Sequence, residues 1–133
     1  MLRAIADTHA VIWYLFDDPR LSAQAGAIID DAAADGDQVG FSSISLVEII
    51  YLSEKGRIDR TTFARLVALT DQLESVLAEV PVDRYVAEAM QQVGRAQVPD
   101  MPARIIAATA LVHSVPVISR DTDILHSVVP TIW

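Results

Sequence analysis

Three acidic residues carry the chemical content of this sequence. Asp7 follows the apolar stretch Leu2-Arg3-Ala4-Ile5-Ala6, Glu48 lies in Ser45-Leu46-Val47-Glu48, and Asp121 comes shortly after Val115-Pro116-Val117-Ile118. Each follows a candidate β-strand. Strand ends of an open parallel sheet gather at one edge, and ligands bind in the crevice beyond them. Carboxylates brought together there repel one another, so such a cluster calls for a cation. All-oxygen ligands suit Mg²⁺ or Mn²⁺ rather than zinc. A hard cation held this way activates water and steadies an in-line attack on a phosphodiester.

Each acid also has a plainer role. Asp7 and Asp121 can cap the helices that follow them. Ser45-x-x-Glu48 has the spacing of a capping box, in which the glutamate reaches back to the first backbone N–H. Against that, Glu48 is flanked by Leu46, Val47, Ile49 and Ile50, and buried carboxylates are rare unless paired or bound to metal. Asp100 either caps the alanine-rich helix after it or joins an acidic site. Asp123 reads as a solvated helix start.

Other chemistries lack their signatures. His9, His113 and His126 show no HExxH spacing and read as structural or surface residues. There is no phosphate-binding glycine loop and no Gly-x-Ser-x-Gly elbow. A receiver domain would want a lysine near the late strand, but the only lysine is Lys55. A phosphatase would want a second aspartate two residues after the first, where His9 stands. Trp13, Tyr14 and Phe16 could stack on bases, although an apolar helix face explains them as well. Lys55, Arg57, Arg60 and Arg65 form the densest basic stretch, either a solvated face or a phosphate contact.

Bulk composition narrows the setting. The chain has 133 residues, enough for one domain with its own core. Residues are 52% hydrophobic but only 6% aromatic, so that core is aliphatic. No apolar run reaches membrane-spanning length, and MLRAIAD lacks a signal-peptide layout. The absence of cysteine excludes disulfides and thiolate metal sites and fits a cytoplasmic protein. A net charge of −8 argues against nonspecific coating of nucleic acid. It remains compatible with clustered metal-binding carboxylates and a local basic rim.

The elements that must position the acids alternate. Strands are expected at Leu2–Ala6, Gln38–Ser42, Val76–Val80 and Val115–Ile118, with a last edge strand at Thr131-Ile132-Trp133. Helices are expected over Ala10–Phe16, from a Ser22 cap to about Ala34, over Ser45–Lys55 before Gly56, from Thr61 or Thr62 toward Leu73, and within Pro81–Ala96. A sixth helix starts at Met101-Pro102 and runs through Val112, rich in alanine and suited to close packing on a sheet. The alternation predicts a single α/β domain, a parallel sheet with helices on both faces.

Four stretches then match a known family: AIADTHAVIWYL, SSISLVEIIYLSEKGRI, PDMPARIIAATAL and VISRDTDIL. In their order and approximate spacing they resemble PIN-domain ribonucleases, in particular the VapC toxins of bacterial toxin–antitoxin pairs. The resemblance spans nearly the whole chain. It implies a three-layer α/β/α sandwich with a mainly parallel sheet of about five strands. It also implies Mg²⁺- or Mn²⁺-dependent RNA cleavage, homodimers, and inhibition by a VapB-type antitoxin. Asp7, Glu48 and Asp121 match the family's acids. Thr8 is then a hydroxyl ligand or orienter, and Arg104 or Arg120 a phosphate contact. The antitoxin is expected on the early helices around Trp13, Tyr14 and Phe16, with a basic side chain near the acids.

One position departs from the pattern. The family usually carries aspartate just before the arginine of PDMPxRIIAATAL, and here that position is Ala103. Asp100, three residues earlier, compensates only in part. Ala103 is either a natural variation that weakens the nuclease or an inactivating substitution, and the intact remainder of the site favours the second. The alternative to a ribonuclease is a non-catalytic module of the same fold that dimerises and binds antitoxin.

Overall fold

Strand β1 (Leu2–Ala6) is the centre of the sheet, because it pairs in parallel with two neighbours. On one side lies β2 (Gln38–Ser42), with Ile5 opposite Gly40 and Ala6 opposite Phe41. On the other lies β4 (Val117–Ile118), with Ile5 opposite Val117. Strands β3 (Leu77–Val80) and β5 (Thr131–Ile132) complete the edges, giving the order β3-β2-β1-β4-β5. All five strands are parallel in this computed structural model, which describes residues 1–133.

Parallel strands need crossovers, and helices supply them. In chain order these are α1 (Thr8–Leu15), α2 (Ala23–Ala34), α3 (Ser43–Glu54), α4 (Thr62–Thr70), α5 (Arg84–Ala89), α6 (Met101–His113) and α7 (Thr122–Leu125). The period-2 alternation of the strands sorts the core into two halves. Ala4, Ala6, Val39, Phe41 and Ile118 face Val11, Ile29, Ile49 and Leu66 of α1 to α4. Ile5, Val80 and Val117 face Val86, Ile106, Ala107 and Ile124 of α5 to α7. The result is the expected three-layer sandwich.

Element bounds shift where local chemistry decides them. Helix α3 begins at Ser43 rather than Ser45, because the Ser42 hydroxyl accepts the Ile44 N–H at 3.1 Å. Glu48 therefore sits in the second helical turn, and the capping-box reading is wrong. Helix α5 stops at Ala89, and a single 3₁₀ turn over Met90–Gln92 follows. The expected stop after α3 is present, with Gly56 in the left-handed region at φ +69°.

Glycine is a residue type that weakens strand interiors, yet Gly40 is a packing requirement here. A Cβ there would stand 2.8 Å from Ile5 Cδ1, 2.9 Å from Val80 Cγ2 and 3.0 Å from Leu2 Cδ1. Val80 is β-branched and stiff, so it cannot step aside cheaply. Gly40→Val is expected to destabilise the fold by about 2 kcal/mol, lowering Tm by roughly 8 °C in a thermal melt.

Candidate functional site

The strand order reverses direction between β1 and β4, and that is where the acids collect. Asp7 leaves β1 in extended conformation, and its N–H donates to the Ile118 carbonyl at 3.0 Å. The ends of β1 and β4 are thereby tied together. Asp121 follows β4 by three residues, and its N–H donates to the Ser119 hydroxyl at 2.9 Å. Ser119 is buried.

The plain roles of the aspartates hold. Asp7 Oδ1 accepts from the Ala10 N–H at 2.9 Å and caps α1. Asp100 Oδ2 accepts from the Ala103 N–H at 3.0 Å and caps α6. Asp121 Oδ1 accepts from Asp123 and Ile124 at 2.8 and 3.3 Å and caps α7. Capping does not exhaust these groups, since each cap occupies one carboxylate oxygen. It also brings three helix N-termini to the same edge, where their partial positive ends offset clustered negative charge.

Glu48 arrives from α3 and accepts a short hydrogen bond from the Thr8 hydroxyl. Thr8 Oγ1 is also 2.9 Å from Ser45 Oγ. A cavity of about 220 Å³ is lined by Asp7, Thr8, His9, Glu48, Asp100, Ala103, Ile106, Asp121 and Ile124. Four carboxylates thus border one space. A second cavity of about 440 Å³ adjoins it, sharing Asp7, His9 and Asp121 and adding Trp13, Arg120 and Thr122.

Electrostatics agrees with the geometry. Burial raises the Asp7 carboxyl above its ordinary range, opposed by Ser119 and the Ala10 N–H, and Asp121 pushes it further up. Burial likewise raises Glu48, opposed by the Thr8 hydroxyl, with Asp100 and Asp7 adding to the rise. Mutual elevation among carboxylates is the stress that a bound cation relieves. The donor set is all oxygen and fits a hard divalent ion in kind. Ala103 puts a methyl group on the wall of the acidic cavity, at the position where the family resemblance leads one to expect a carboxylate. No three acidic or imidazole side chains stand in ligating geometry as the structure has them.

The arginines divide. Arg104 is outside the cavity, its guanidinium donating to the carbonyls of Met90 and Val93, each at 2.8 Å. It secures the segment where α5 ends. Arg120 is exposed and stands 4.5 Å over the Trp13 ring on the wall of the larger cavity. The ion pairs of the chain are Met1–Asp37, Arg3–Asp35, Arg3–Asp37 and Arg20–Asp18, so Arg120 has no carboxylate partner. Trp13 is only 4% exposed, with Arg20, His9 and Trp133 also against it, so it serves as a platform rather than a stacking surface. None of Lys55, Arg57, Arg60 and Arg65 lines either cavity.

Sequence reasoning did not single out His9, Ser45 or Ser119 for this site. His9, read from sequence as structural or surface, lies on both cavities. Ser119 carried a signal only in standing two residues before Asp121. Ser45 was visible through its spacing to Glu48, but that spacing suggested a cap.

The family profile of the PIN domain matches residues 4–128. No curated protein sequence matches the chain. Among solved structures, VapBC2 of Rickettsia felis bound to a promoter DNA fragment aligns at TM-score 0.69 and 12% identity, covering 96% of this chain and 97% of that one. FitAcB of Neisseria gonorrhoeae aligns at TM-score 0.65 and 24% identity, over 98% and 96% of the two chains. A toxin–antitoxin complex of Klebsiella pneumoniae aligns at TM-score 0.58 and 22% identity, over 98% and 96%.

Proposed function

The chain belongs to the PIN-domain family, and on that premise we propose that it is a metal-dependent endoribonuclease toxin of a VapBC-type toxin–antitoxin pair, weakened or silenced by Ala103. The observation that carries this reading is the gathering of Asp7, Glu48, Asp100 and Asp121 around one cavity that Ala103 also lines. Those four carboxylates would hold Mg²⁺ or Mn²⁺. When bound, such an ion supplies Lewis acidity toward the phosphodiester and its attacking water.

The chain's own groups account for the rest. Thr8 fixes one oxygen of Glu48. Asp7 and Asp121 are held at their strand ends by their backbone N–H groups, which donate to the Ile118 carbonyl and the Ser119 hydroxyl. Arg120 offers an uncompensated guanidinium beside the acids, suited to an RNA phosphate in a chain that is otherwise strongly anionic. Arg120→Ala is expected to weaken RNA binding about fivefold. The same change should reduce the slope of log affinity against log salt by about 0.7. Salt-dependent fluorescence anisotropy with a single-stranded RNA reads both. An unchanged slope would remove Arg120 from the phosphate contacts.

Support for partners comes from the surface. A groove of about 340 Å³ between α1 and α4 is lined by Tyr14, Leu15, Arg65, Ala68, Leu69 and Gln72. It offers an antitoxin apolar surface on the early helices, with Tyr14 and Leu15 half-buried rather than fully enclosed. Exposed Val47, Ile50 and Tyr51 on α3 suit a homodimer contact. No helix is long and apolar enough to cross a membrane, and we assign a cytoplasmic setting on the toxin reading.

A second reading draws on Ala103 itself. The fold would persist as a non-catalytic module that dimerises and binds antitoxin. The deciding test is Mg²⁺- and Mn²⁺-dependent cleavage of total RNA by this chain and by its Ala103→Asp form. Cleavage abolished by EDTA and by Glu48→Gln supports the ribonuclease. No cleavage by either form supports the module.

A further inference from the structure

We propose that Ser45 is a positioning residue that sets the orientation of Glu48 through the hydroxyl of Thr8. The inference rests on the proposed role of Glu48 as a cation ligand and deepens it. Ser45 is fully buried in α3, three residues before Glu48 and so on the same helical face. A buried helical serine usually returns its proton to a carbonyl one turn back. Ser45 instead places Oγ 2.9 Å from Thr8 Oγ1, across the gap between α3 and α1.

The direction of this chain of hydrogen bonds follows from proton counting. A hydroxyl has one proton to donate. Thr8, itself only 3% exposed, spends its proton on Glu48 Oε1. The proton between Thr8 and Ser45 must then come from Ser45. The order is Ser45 to Thr8 to Glu48, and donors in series strengthen one another. Glu48 Oε2 takes no hydrogen bond and is left for a cation. Supporting hydrogen bonds of this kind commonly govern metal affinity by tenfold or more.

The arrangement makes a distinctive prediction, because two members of a series act as one. Ser45→Ala should weaken Mn²⁺ binding about tenfold in a titration followed by electron paramagnetic resonance. Thr8→Val should do at least as much, and the double variant should be no worse than Thr8→Val alone. Thr8→Ser, which keeps the hydroxyl, should restore affinity. Alanine is smaller than serine and favours the helix, so Ser45→Ala is expected to fold normally. Unchanged Mn²⁺ affinity in Ser45→Ala, or a double variant equal to the product of the singles, would overturn the proposal.

A second measurement separates this inference from the reading beneath it. The Thr8 hydroxyl proton, shielded from water, should exchange slowly enough to be seen by NMR and should shift in Ser45→Ala. If neither the chain nor its Ala103→Asp form binds Mn²⁺, the metal-site reading fails. A Thr8 proton that still responds to Ser45 then supports the relay on its own, and one that does not overturns it.

Discussion

The Ala103→Asp form should cleave RNA at least about a hundredfold faster than the chain with alanine, roughly 3 kcal/mol in the barrier. Ala103 is 8% exposed and lines the cavity bordered by Asp7, Glu48, Asp100 and Asp121. Its N–H is already held by Asp100, so its backbone position is fixed whatever side chain it bears. A carboxylate there lies in the first turn of α6, where the helix end favours negative charge. It nevertheless joins acids that already raise one another, so metal-free protein should lose stability. Added Mn²⁺ should return more than that loss, since a ligand that binds only the folded state stabilises it by mass action. The measurement is cleavage rate together with Tm, each with and without Mn²⁺. A gain in both Mn²⁺-induced Tm rise and cleavage places the missing donor at Ala103. Equal cleavage by both forms means that four carboxylates suffice. A form that gains neither removes Ala103 from the site and shifts the reading to the binding module.

What was legible in the sequence was mostly the placing of acids at strand ends. Asp7, Asp100 and Asp121 announce themselves as caps, and their caps are real. Caps and site coincide because helix N-termini and strand C-termini share one edge of a parallel sheet. The plain and the chemical readings were therefore not rivals. Glu48 borders the acidic cavity, and of its two sequence readings only the capping box fails. Both Ser42 and Ser45 could cap α3, and spacing alone favoured Ser45. Ser42 wins because β2 ends on it and leaves it extended, which frees the Ser45 hydroxyl for Thr8. Arg104 illustrates the opposite limit. Its charge suggested phosphate, but its guanidinium instead bonds the Val93 carbonyl and adds a second donor to the Met90 carbonyl, which the Val93 N–H already meets at 3.1 Å. No local pattern encodes that, since the partners are 14 and 11 residues away. The same holds for Gly40, whose need appears only when Leu2, Ile5 and Val80 close around it.

Asp7→Asn is expected to abolish function while stabilising the metal-free fold. The sign follows from linkage. An aspartate has a pKa of about 3.9 in unfolded chain. Burial first, and Asp121 in addition, raises Asp7 above that value in the native state. The native state therefore holds its proton more tightly than the unfolded chain, and stability falls as pH rises between the two values. Above the unfolded value the native state bears the cost of burying this carboxyl, either as a charge or as a proton taken up. Asparagine removes that charge but keeps an oxygen for the Ala10 N–H, and it caps helices about as well as aspartate. Metal-free Asp7→Asn should thus melt higher at pH 7, by about 1 kcal/mol or roughly 4 °C. The advantage should shrink as pH falls from the native toward the unfolded pKa and be gone below the latter, where aspartate is neutral in both states. Mn²⁺ affinity should fall at least about tenfold, and in the Ala103→Asp background cleavage should return to the level of the chain with alanine. Stability exchanged for function in this way marks a site whose charges are gathered for a ligand. A variant that melts lower at every pH, or keeps its Mn²⁺ affinity, would make Asp7 a helix cap and nothing more.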